Sequence, residues 1–318
     1  MAGVQNFDTV VYLSDYITED EAWAFANYIL PMICVEYCYV SSIEAYTGGG
    51  YLSRVVINYN VDSDTEGKKM VSELREVTKN VIANLKSSMS DYDKVRYLTD
   101  WLVMNCAYNG EATACNTAYG SVVNGASNCA GYAKGLFYLL ANAGFDVIFC
   151  EGVGDSANHL WVKVKINGTW TNIDPTWCDP RTPTTVDPTY VDYSFLCVND
   201  DFMAATHAEV YDMTFYSVPS ATSTKYDWYV LNGCYATSLS EAVSILKSAT
   251  KTAIAEGSEY VYVRIKVSSS SIYDDLASSY KQSGYNNKIL ADITSKYTCD
   301  GVLPREAGLY RVYRLKLN

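Results

Sequence analysis

The feature that most constrains this chain is a pair of alternating runs joined by Asn167-Gly168. Apolar and polar residues alternate over 159–166 and again over 169–174. Period-two alternation is typical of half-buried strands, and Asn-Gly between two such runs is the strongest local signal for a two-residue hairpin. A turn of this length pairs Val162 with Ile173. The chain is therefore predicted to contain an antiparallel sheet built around this hairpin.

The hairpin also brings two titratable residues together. Its register makes His159 and Asp174 diagonal neighbours, about 7–8 Å apart at the backbone, close enough for an imidazole and a carboxylate to meet. An acid placed there can fix the tautomer of a catalytic histidine. The structural alternative is a histidine that only packs and an aspartate that begins a turn before Pro175. His207, the other of the two histidines, has no comparable partner in its local sequence and is predicted to be structural.

Cys129 lies at the predicted start of a helix. Ala133, Leu136 and Leu140 follow at helical spacing, and Gly144 supplies a stop. Unpaired N–H groups and the positive end of the helix dipole favour a thiolate in the first turn, and the thiolate is the reactive form of cysteine. The alternative is a small buried hydrophobe, the commoner role of a free cysteine. With a histidine and an acid on the hairpin, the nucleophile is the better hypothesis.

Three blocks follow one another along the chain: 118–133 around Cys129, His159-Leu160-Trp161, and 170–177 around Asp174. Across about 91–216, this pattern resembles the transglutaminase-like superfamily, whose bacterial members are papain-like thiol enzymes. The resemblance implies that Cys129, His159 and Asp174 are a catalytic triad. It implies an α+β fold: a papain/transglutaminase-like core, in which the nucleophile helix packs on an antiparallel sheet, flanked by small α/β domains.

Further site residues are suggested by the same blocks. Tyr119, Trp161 and Trp177 are candidates for an oxyanion donor or for the wall of the cleft. Two positions depart from many relatives: Val162 replaces an asparagine after the His-x-Trp element, and Cys178 replaces an acidic residue after the Thr-Trp pair. Neither removes a member of the triad, so the departures concern the lining of the pocket.

The predicted chemistry is acyl transfer through a thioester. His159 would deprotonate Cys129, the thiolate would attack a peptide or protein amide, and the Cys129 backbone N–H would help hold the oxyanion. Water as acceptor gives a cysteine peptidase or amidase, which the resemblance to bacterial members favours. An amine as acceptor gives a transglutaminase. A third hypothesis is a catalytically inactive scaffold that binds peptide or glycan.

Composition limits the partners and cofactors. A net charge of −12 and a pI near 4.6 argue against nucleic acid and anionic membranes. No segment is long and apolar enough to predict membrane insertion. Ten cysteines without a CxxC pair, together with two histidines, argue against a metal site, and no cofactor is expected. Most cysteines are predicted to be reduced, with Cys150 and Cys178 as a candidate disulfide.

The remaining partner is a peptide or protein substrate, with cell-wall material as one candidate. An acidic, tyrosine-rich chain with a peptidase-like core favours a secreted or cell-surface bacterial protein. The first thirteen residues lack the basic and apolar parts of a signal peptide. A cytoplasmic location therefore stays open.

The length of 318 residues predicts two or three domains. We expect an N-terminal α/β domain over 1–72, a catalytic core over 73–218 and a small C-terminal α/β domain over 225–318. Within the last domain, 227–231 is predicted to be a strand. Gly152-Val153-Gly154 is predicted to be a flexible approach to the histidine strand.

Overall fold

The computed structural model describes residues 6–12, 17–24, 34–179, 190–209, 218–255, 257–305 and 309–318. The chain forms two compact units: Met1–Leu196 with His207–Ser223, and Cys197–Thr206 with Thr224–Asn318. It therefore leaves the first unit after Leu196 and returns to it at His207. A boundary between 1–72 and 73–218 stays a prediction.

The helices, in chain order, are α1 (Glu19–Ala24), α2 (Asp64–Ile82), α3 (Asp91–Asn105), α4 (Ala118–Val122), α5 (Cys129–Asn142), α6 (Asp200–Met203), α7 (Trp228–Leu231), α8 (Leu239–Ala255), α9 (Ser270–Ser279) and α10 (Gln282–Lys288). The strands are β1 (Val10–Tyr12), β2 (Val40–Gly48), β3 (Tyr51–Tyr59), β4 (Ala107–Tyr108), β5 (Ala126–Ser127), β6 (Val147–Gly154), β7 (Ala157–Ile166), β8 (Thr169–Ile173), β9 (Leu196–Val198), β10 (His207–Glu209), β11 (Tyr235–Ala236), β12 (Tyr260–Val267), β13 (Tyr297–Arg305) and β14 (Tyr310–Leu317).

A small antiparallel sheet of order β1-β3-β2 begins the first unit. Gly49 and Gly50 join β2 to β3, and both have positive φ, which glycine adopts without steric cost. Helix α1 begins with a capping box: the Glu21 N–H donates to the Thr18 hydroxyl, and the Thr18 N–H donates back to the Glu21 carboxylate.

The central sheet has the order β10-β6-β7-β8-β9, and it contains the predicted hairpin. Strands β7 and β8 pair antiparallel with Val162 opposite Ile173, as the two-residue turn predicts. Asn167 and Gly168 both have positive φ, 47° and 82°, which is typical of a type I′ turn. The sequence prediction of the hairpin and its register is confirmed.

Strand β6 corrects the prediction for Gly152-Val153-Gly154, because this segment is paired on both sides rather than flexible. Gly152 lies opposite His159 on β7 and opposite Glu209 on β10. A Cβ atom on Gly152 would lie 2.0 Å from the carbonyl oxygen of Ala208. Glycine is therefore required for β10 to approach the sheet. In the sequence, a glycine with this role looks the same as a glycine in a flexible segment.

Helix α5 packs against β6 and β7 and forms the centre of the first unit. Leu136, Leu139 and Leu140 are fully buried, and Phe137 stacks on Phe149 of β6 with ring centroids 4.4 Å apart. The helix ends before Gly144, which has φ of 89°. The fold is α+β, with the cysteine-bearing helix on an antiparallel sheet, as the sequence predicts.

The second unit is a four-stranded sheet of order β11-β12-β14-β13 with α8 packed against β12. The predicted strand over 227–231 is wrong: the segment is the short helix α7. Asp227 caps this helix by accepting from the Tyr229 N–H at 2.8 Å, and its other oxygen pairs with Lys266. Capping and pairing by one carboxylate override the strand propensity of the residues that follow it.

All ten cysteines lie among the described residues, and none of them forms a disulfide bond. The candidate disulfide between Cys150 and Cys178 is therefore not formed. Among the residues that the structure describes, none of the helices is both long and apolar enough to cross a membrane.

Candidate active site

Cys129 is the first residue of α5. The side chain of Asn128 caps the helix by accepting from the Gly131 N–H at 3.1 Å. The Cys129 thiol is half-buried, and its interaction with His159 is the main cause that lowers the pKa of the thiol. Burial opposes the shift, while the charge of His159 and backbone hydrogen bonds at Leu160 and Ala130 support it. The structure therefore favours the thiolate here.

His159 joins the thiol to Asp174. It projects from β7, and its Nε2 lies 2.7 Å from Asp174 Oδ2. Since Nε2 is engaged by the carboxylate, Nδ1 is the nitrogen left to face the thiol. Burial by itself lowers the pKa of His159, but the charge of Asp174, their hydrogen bond and the contact with Cys129 outweigh it and raise the pKa to about 10. A positive charge on His159 and a negative charge on Cys129 thus stabilise each other.

Gly154 leaves the space that the His159 ring occupies. A Cβ atom at this position would lie 3.1 Å from two atoms of the ring. Gly154 therefore makes room for the side chain of His159, and Gly152 makes room for the backbone of β10.

Asp174 follows β8 and is fully buried. Its Oδ1 accepts from the backbone N–H groups of Thr176 and Trp177, at 2.9 and 3.1 Å. Burial raises the pKa of this carboxyl, but the charges and hydrogen bonds of His159 and His207 outweigh it and lower the pKa to about 2. The group is a carboxylate at neutral pH.

His207 is the residue that sequence reasoning missed. Its Nε2 lies 3.0 Å from Asp174 Oδ2, the same oxygen that holds His159. The prediction that His207 lacks a comparable partner is therefore wrong. The only signal in the sequence is its rarity, because 33 residues separate it from Asp174 and no local motif connects them.

His159, Asp174 and His207 also have the composition of a metal site, since one ligand atom from each lies within 4.8 Å of the others. The ring nitrogens are 2.7 and 3.0 Å from the shared oxygen. Ligands about 2.0–2.1 Å from a tetrahedral metal ion lie about 3.3 Å from one another. The arrangement is that of N–H donors on one carboxylate oxygen, so hydrogen bonding accounts for it.

The three predicted cleft residues differ in position. Trp161 is fully buried beside His159, and its indole N–H donates to Asn172 Oδ1 at 3.3 Å. Trp177 is half-buried, with its ring centroid 6.1 Å from that of His159. The Tyr119 hydroxyl donates its hydrogen bond to the Glu73 carboxylate at 2.6 Å. Roles for these residues in catalysis stay predictions.

Tyr108 is a second residue that the sequence did not reveal. It is 58% exposed, and it pairs through β4 with Ser127 of β5, two residues before Cys129. Burial and the charges of Cys129 and Cys115 raise the pKa of its hydroxyl. An exposed tyrosine therefore borders the thiol, held by two-residue strands that are too short to predict.

Residues 75–175 match the family model of the transglutaminase-like superfamily. This part of the chain, about a third of its length, is similar to the transglutaminase-like superfamily. The matched range includes Cys129, His159 and Asp174, whereas His207 lies beyond it. A search of curated proteins returned no match.

Three solved structures are similar to parts of the chain. A TGase is 11% identical over 56% of this chain and 52% of its own, with a TM-score of 0.31. A proposed cysteine protease from Cytophaga hutchinsonii is 15% identical over 44% of this chain and 63% of its own, with a TM-score of 0.30. The periplasmic domain of TgpA from Pseudomonas aeruginosa, bound to ethylmercury, is 13% identical over 42% and 65%, with a TM-score of 0.26. The chain thus spans about half to two-thirds of the length of these proteins.

Proposed function

We propose that this protein is a thiol enzyme that attacks peptide or protein amide bonds with Cys129 as nucleophile, His159 as base and acid, and Asp174 as the orienting carboxylate. Members of the transglutaminase-like superfamily are often cysteine peptidases or acyltransferases, and hydrolysis is the activity that we place first. The observation that carries the proposal is the position of His159, whose Nε2 lies 2.7 Å from Asp174 Oδ2 and whose ring interacts with the Cys129 thiol.

The electrostatics of this path support an ion pair at rest. The pKa of Cys129 is lowered, and that of His159 is raised to about 10. Both shifts favour the charged forms, in which the thiol has lost its proton and the imidazole holds one. A preformed thiolate needs no base at the moment of attack, and the imidazolium is already placed to protonate the leaving amine.

The reaction then follows from the chemistry of the two groups. The thiolate attacks the carbonyl carbon, and the charge that develops on oxygen is held by N–H groups at the start of α5, including that of Cys129. His159 gives its proton to the amine as the carbon–nitrogen bond breaks, which leaves a thioester on Cys129. His159, now neutral, takes a proton from the acceptor that resolves the thioester.

Water as this acceptor completes hydrolysis, and an amine completes transamidation. The same three residues serve both reactions, so a transglutaminase is the alternative enzyme. An inactive scaffold that binds peptide or glycan is the alternative from another class. A location outside the cytoplasm and a cell-wall-associated substrate belong to the proposal as predictions.

Alkylation tests the proposed nucleophile without a known substrate. Iodoacetamide at pH 7 should label Cys129 ahead of the other nine cysteines, as read by peptide mass spectrometry. In His159→Ala, labelling of Cys129 should slow at least about tenfold, because each unit by which the thiol pKa rises costs a factor of ten in thiolate.

Cys34 supplies a matched control. It is also half-buried, but burial raises the pKa of its thiol. Cys34→Ala should therefore leave the labelling of Cys129 unchanged. Uniform labelling of the half-buried thiols Cys34, Cys115 and Cys129 in the wild type would contradict the enzyme proposal and favour the scaffold.

A second assay separates the two acceptors. The protein is incubated with casein and a dye-labelled primary amine, and both new peptides and incorporated dye are measured. Cleavage without incorporation supports the peptidase, and incorporation supports the transglutaminase. Cys129→Ala should abolish either outcome.

A further inference from the structure

We propose that His207 is a positioning residue for the thiol reaction: a second donor to Asp174 that moderates how tightly the carboxylate holds His159. The inference rests on the proposed function for its catalytic consequence, but the hydrogen bond itself is tested independently below. His207 lies outside the range that matches the family.

The geometry singles out one oxygen atom. Asp174 Oδ1 already accepts from the backbone N–H groups of Thr176 and Trp177, so the carboxylate stays oriented without either histidine. Oδ2 accepts from His159 at 2.7 Å and from His207 at 3.0 Å. Because both histidines donate to the same atom, the hydrogen bond from His207 weakens the interaction of Oδ2 with His159.

The surroundings hold His207 in this position. Its side chain is fully buried, and its ring lies 4.6 Å from that of Trp177, 5.0 Å from that of Trp161 and 5.6 Å from that of Phe195, between centroids. On β10 it pairs with Gly154, the residue whose missing Cβ leaves room for the other imidazole. Two glycines of β6 thus admit both histidines to one carboxylate.

The neighbouring charged groups are already paired. Glu209, two residues along the same strand, accepts from Lys163 at 2.8 Å. Among the described residues, the other titratable groups of this cluster are Cys129, His159 and Asp174, with the Tyr108 hydroxyl beside the thiol. The aromatic rings around His207 are two indoles and a phenyl. A change in the hydrogen bond from His207 should therefore act mainly through Asp174 on the thiol and its base.

The chemical consequence concerns the proton that His159 must release. An imidazolium bound by the undivided charge of a buried carboxylate is strongly stabilised, which makes it a poorer acid for the leaving amine. A second N–H on the same oxygen takes up part of that charge. His207 therefore lets the ion pair form at rest and still lets the proton leave during turnover.

Two variants separate the donor from the ring. His207→Phe keeps an aromatic ring between Trp161, Trp177 and Phe195 but removes the N–H. His207→Gln keeps an N–H near the position of Nε2 but removes the ring. We expect the pH of half-maximal alkylation of Cys129 to fall by about one unit in His207→Phe and to stay at the wild-type value in His207→Gln. Turnover of a peptide should slow by up to about tenfold in His207→Phe, with less effect on an activated ester that needs no protonated leaving group.

A purely structural His207 predicts the opposite pattern. His207→Phe would then keep the wild-type pH profile, and any loss in His207→Gln would appear in the melting temperature. Either that pattern or equal shifts in the two variants would overturn the proposal.

The wild-type chain offers a measurement that needs no variant of His207 to fold. The chain has two histidines, so ¹⁵N-histidine NMR reports His159 and His207 without overlap from others. Both Nε2 atoms should carry a proton at neutral pH. The chemical shift of the His207 Nε2 proton should change in Asp174→Asn. An Nε2 of His207 without a proton would overturn the proposal even if alkylation supports the nucleophile, and a protonated one would support it even if Cys129 proves unreactive.

Discussion

At the scale of single residues, the candidate site is organised around one carboxylate. Asp174 is fully buried, and its two oxygens accept from two backbone N–H groups and two histidines. A buried carboxylate without such partners would be strongly destabilising. The four donors keep it charged, and that charge raises the pKa of His159 and so favours the thiolate of Cys129.

The pH dependence of turnover is the residue-scale prediction. His159 has a raised pKa, so it holds its proton until the pH rises towards 10, and turnover should fall only near that value. In Asp174→Asn the main cause of the raised pKa is gone, so the alkaline limb should move down towards about 6.5, the ordinary pKa of histidine. We also expect kcat/KM to drop by roughly 10²–10⁴-fold. Profiles of kcat/KM against pH measure both changes.

Asp192 is the matched control for this variant. It is a buried aspartate of the same unit, 3% exposed, and it accepts from the Ser194 N–H at 2.9 Å. Asp192→Asn should reduce stability without moving the alkaline limb. If Asp174→Asn keeps the wild-type limb, the assigned link between Asp174 and His159 is wrong.

At the scale of elements, the start of α5 positions the nucleophile. Asn128 caps the helix, and Gly131 in its first turn lies so close to Cys115 that an added Cβ would be 2.2 Å from the carbonyl oxygen. The helix start is thus fixed both by its own cap and by a neighbouring segment. The orientation of the Cys129 thiol depends on both.

Loss of the cap is the element-scale prediction. Asn128→Ala should lower the free energy of unfolding by about 1 kcal/mol, because one N–H of the first turn loses its acceptor. Asn128→Ser keeps a capping oxygen and should stay close to the wild type. Urea unfolding curves of the three proteins measure the difference. Equal losses in both variants would mean that Asn128 acts through another contact.

Elements with strong local signals could be predicted, and those without could not. The hairpin of β7 and β8 is predicted by Asn167-Gly168 between two alternating runs. Helix α5 is predicted by the helical spacing of its apolar residues and by the glycine after its end. Strand β6 carries glycines that weaken its local preference for a strand. Its pairing with β10 depends on a close backbone approach that only tertiary contacts define.

At the scale of the whole molecule, the two units are interleaved along the chain. Cys197–Thr206 belongs to the second unit although residues on both sides belong to the first. Within the second unit, the ring of Phe202 lies 3.9 Å from Lys266 Nζ. A change in composition predicts the start of the C-terminal domain at 225. That signal gives no information about residues 197–206.

The interleaving gives a prediction for the full chain. Phe202→Ala should destabilise the second unit by about 1–2 kcal/mol through the lost cation–π contact, and the loss of hydrogen-exchange protection should appear in β12, which carries Lys266. The exposed neighbour Asp201 is the control, and Asp201→Ala should leave protection unchanged. Protection lost only in the strands of the first unit would contradict the assignment of 197–206.

Local sequence is sufficient to specify the hairpin, the helix that begins at Cys129 and the juxtaposition of His159 with Asp174. These features depend on neighbours within a few residues or on a register that a two-residue turn fixes, so local chemistry suffices. By contrast, the donation from His207 to the same carboxylate and the position of Tyr108 beside the thiol depend on the packing of distant segments. Both contacts join segments through pairings of two or three residues, and such short pairings are stabilised by the packed core around them rather than by any pattern in their own sequence.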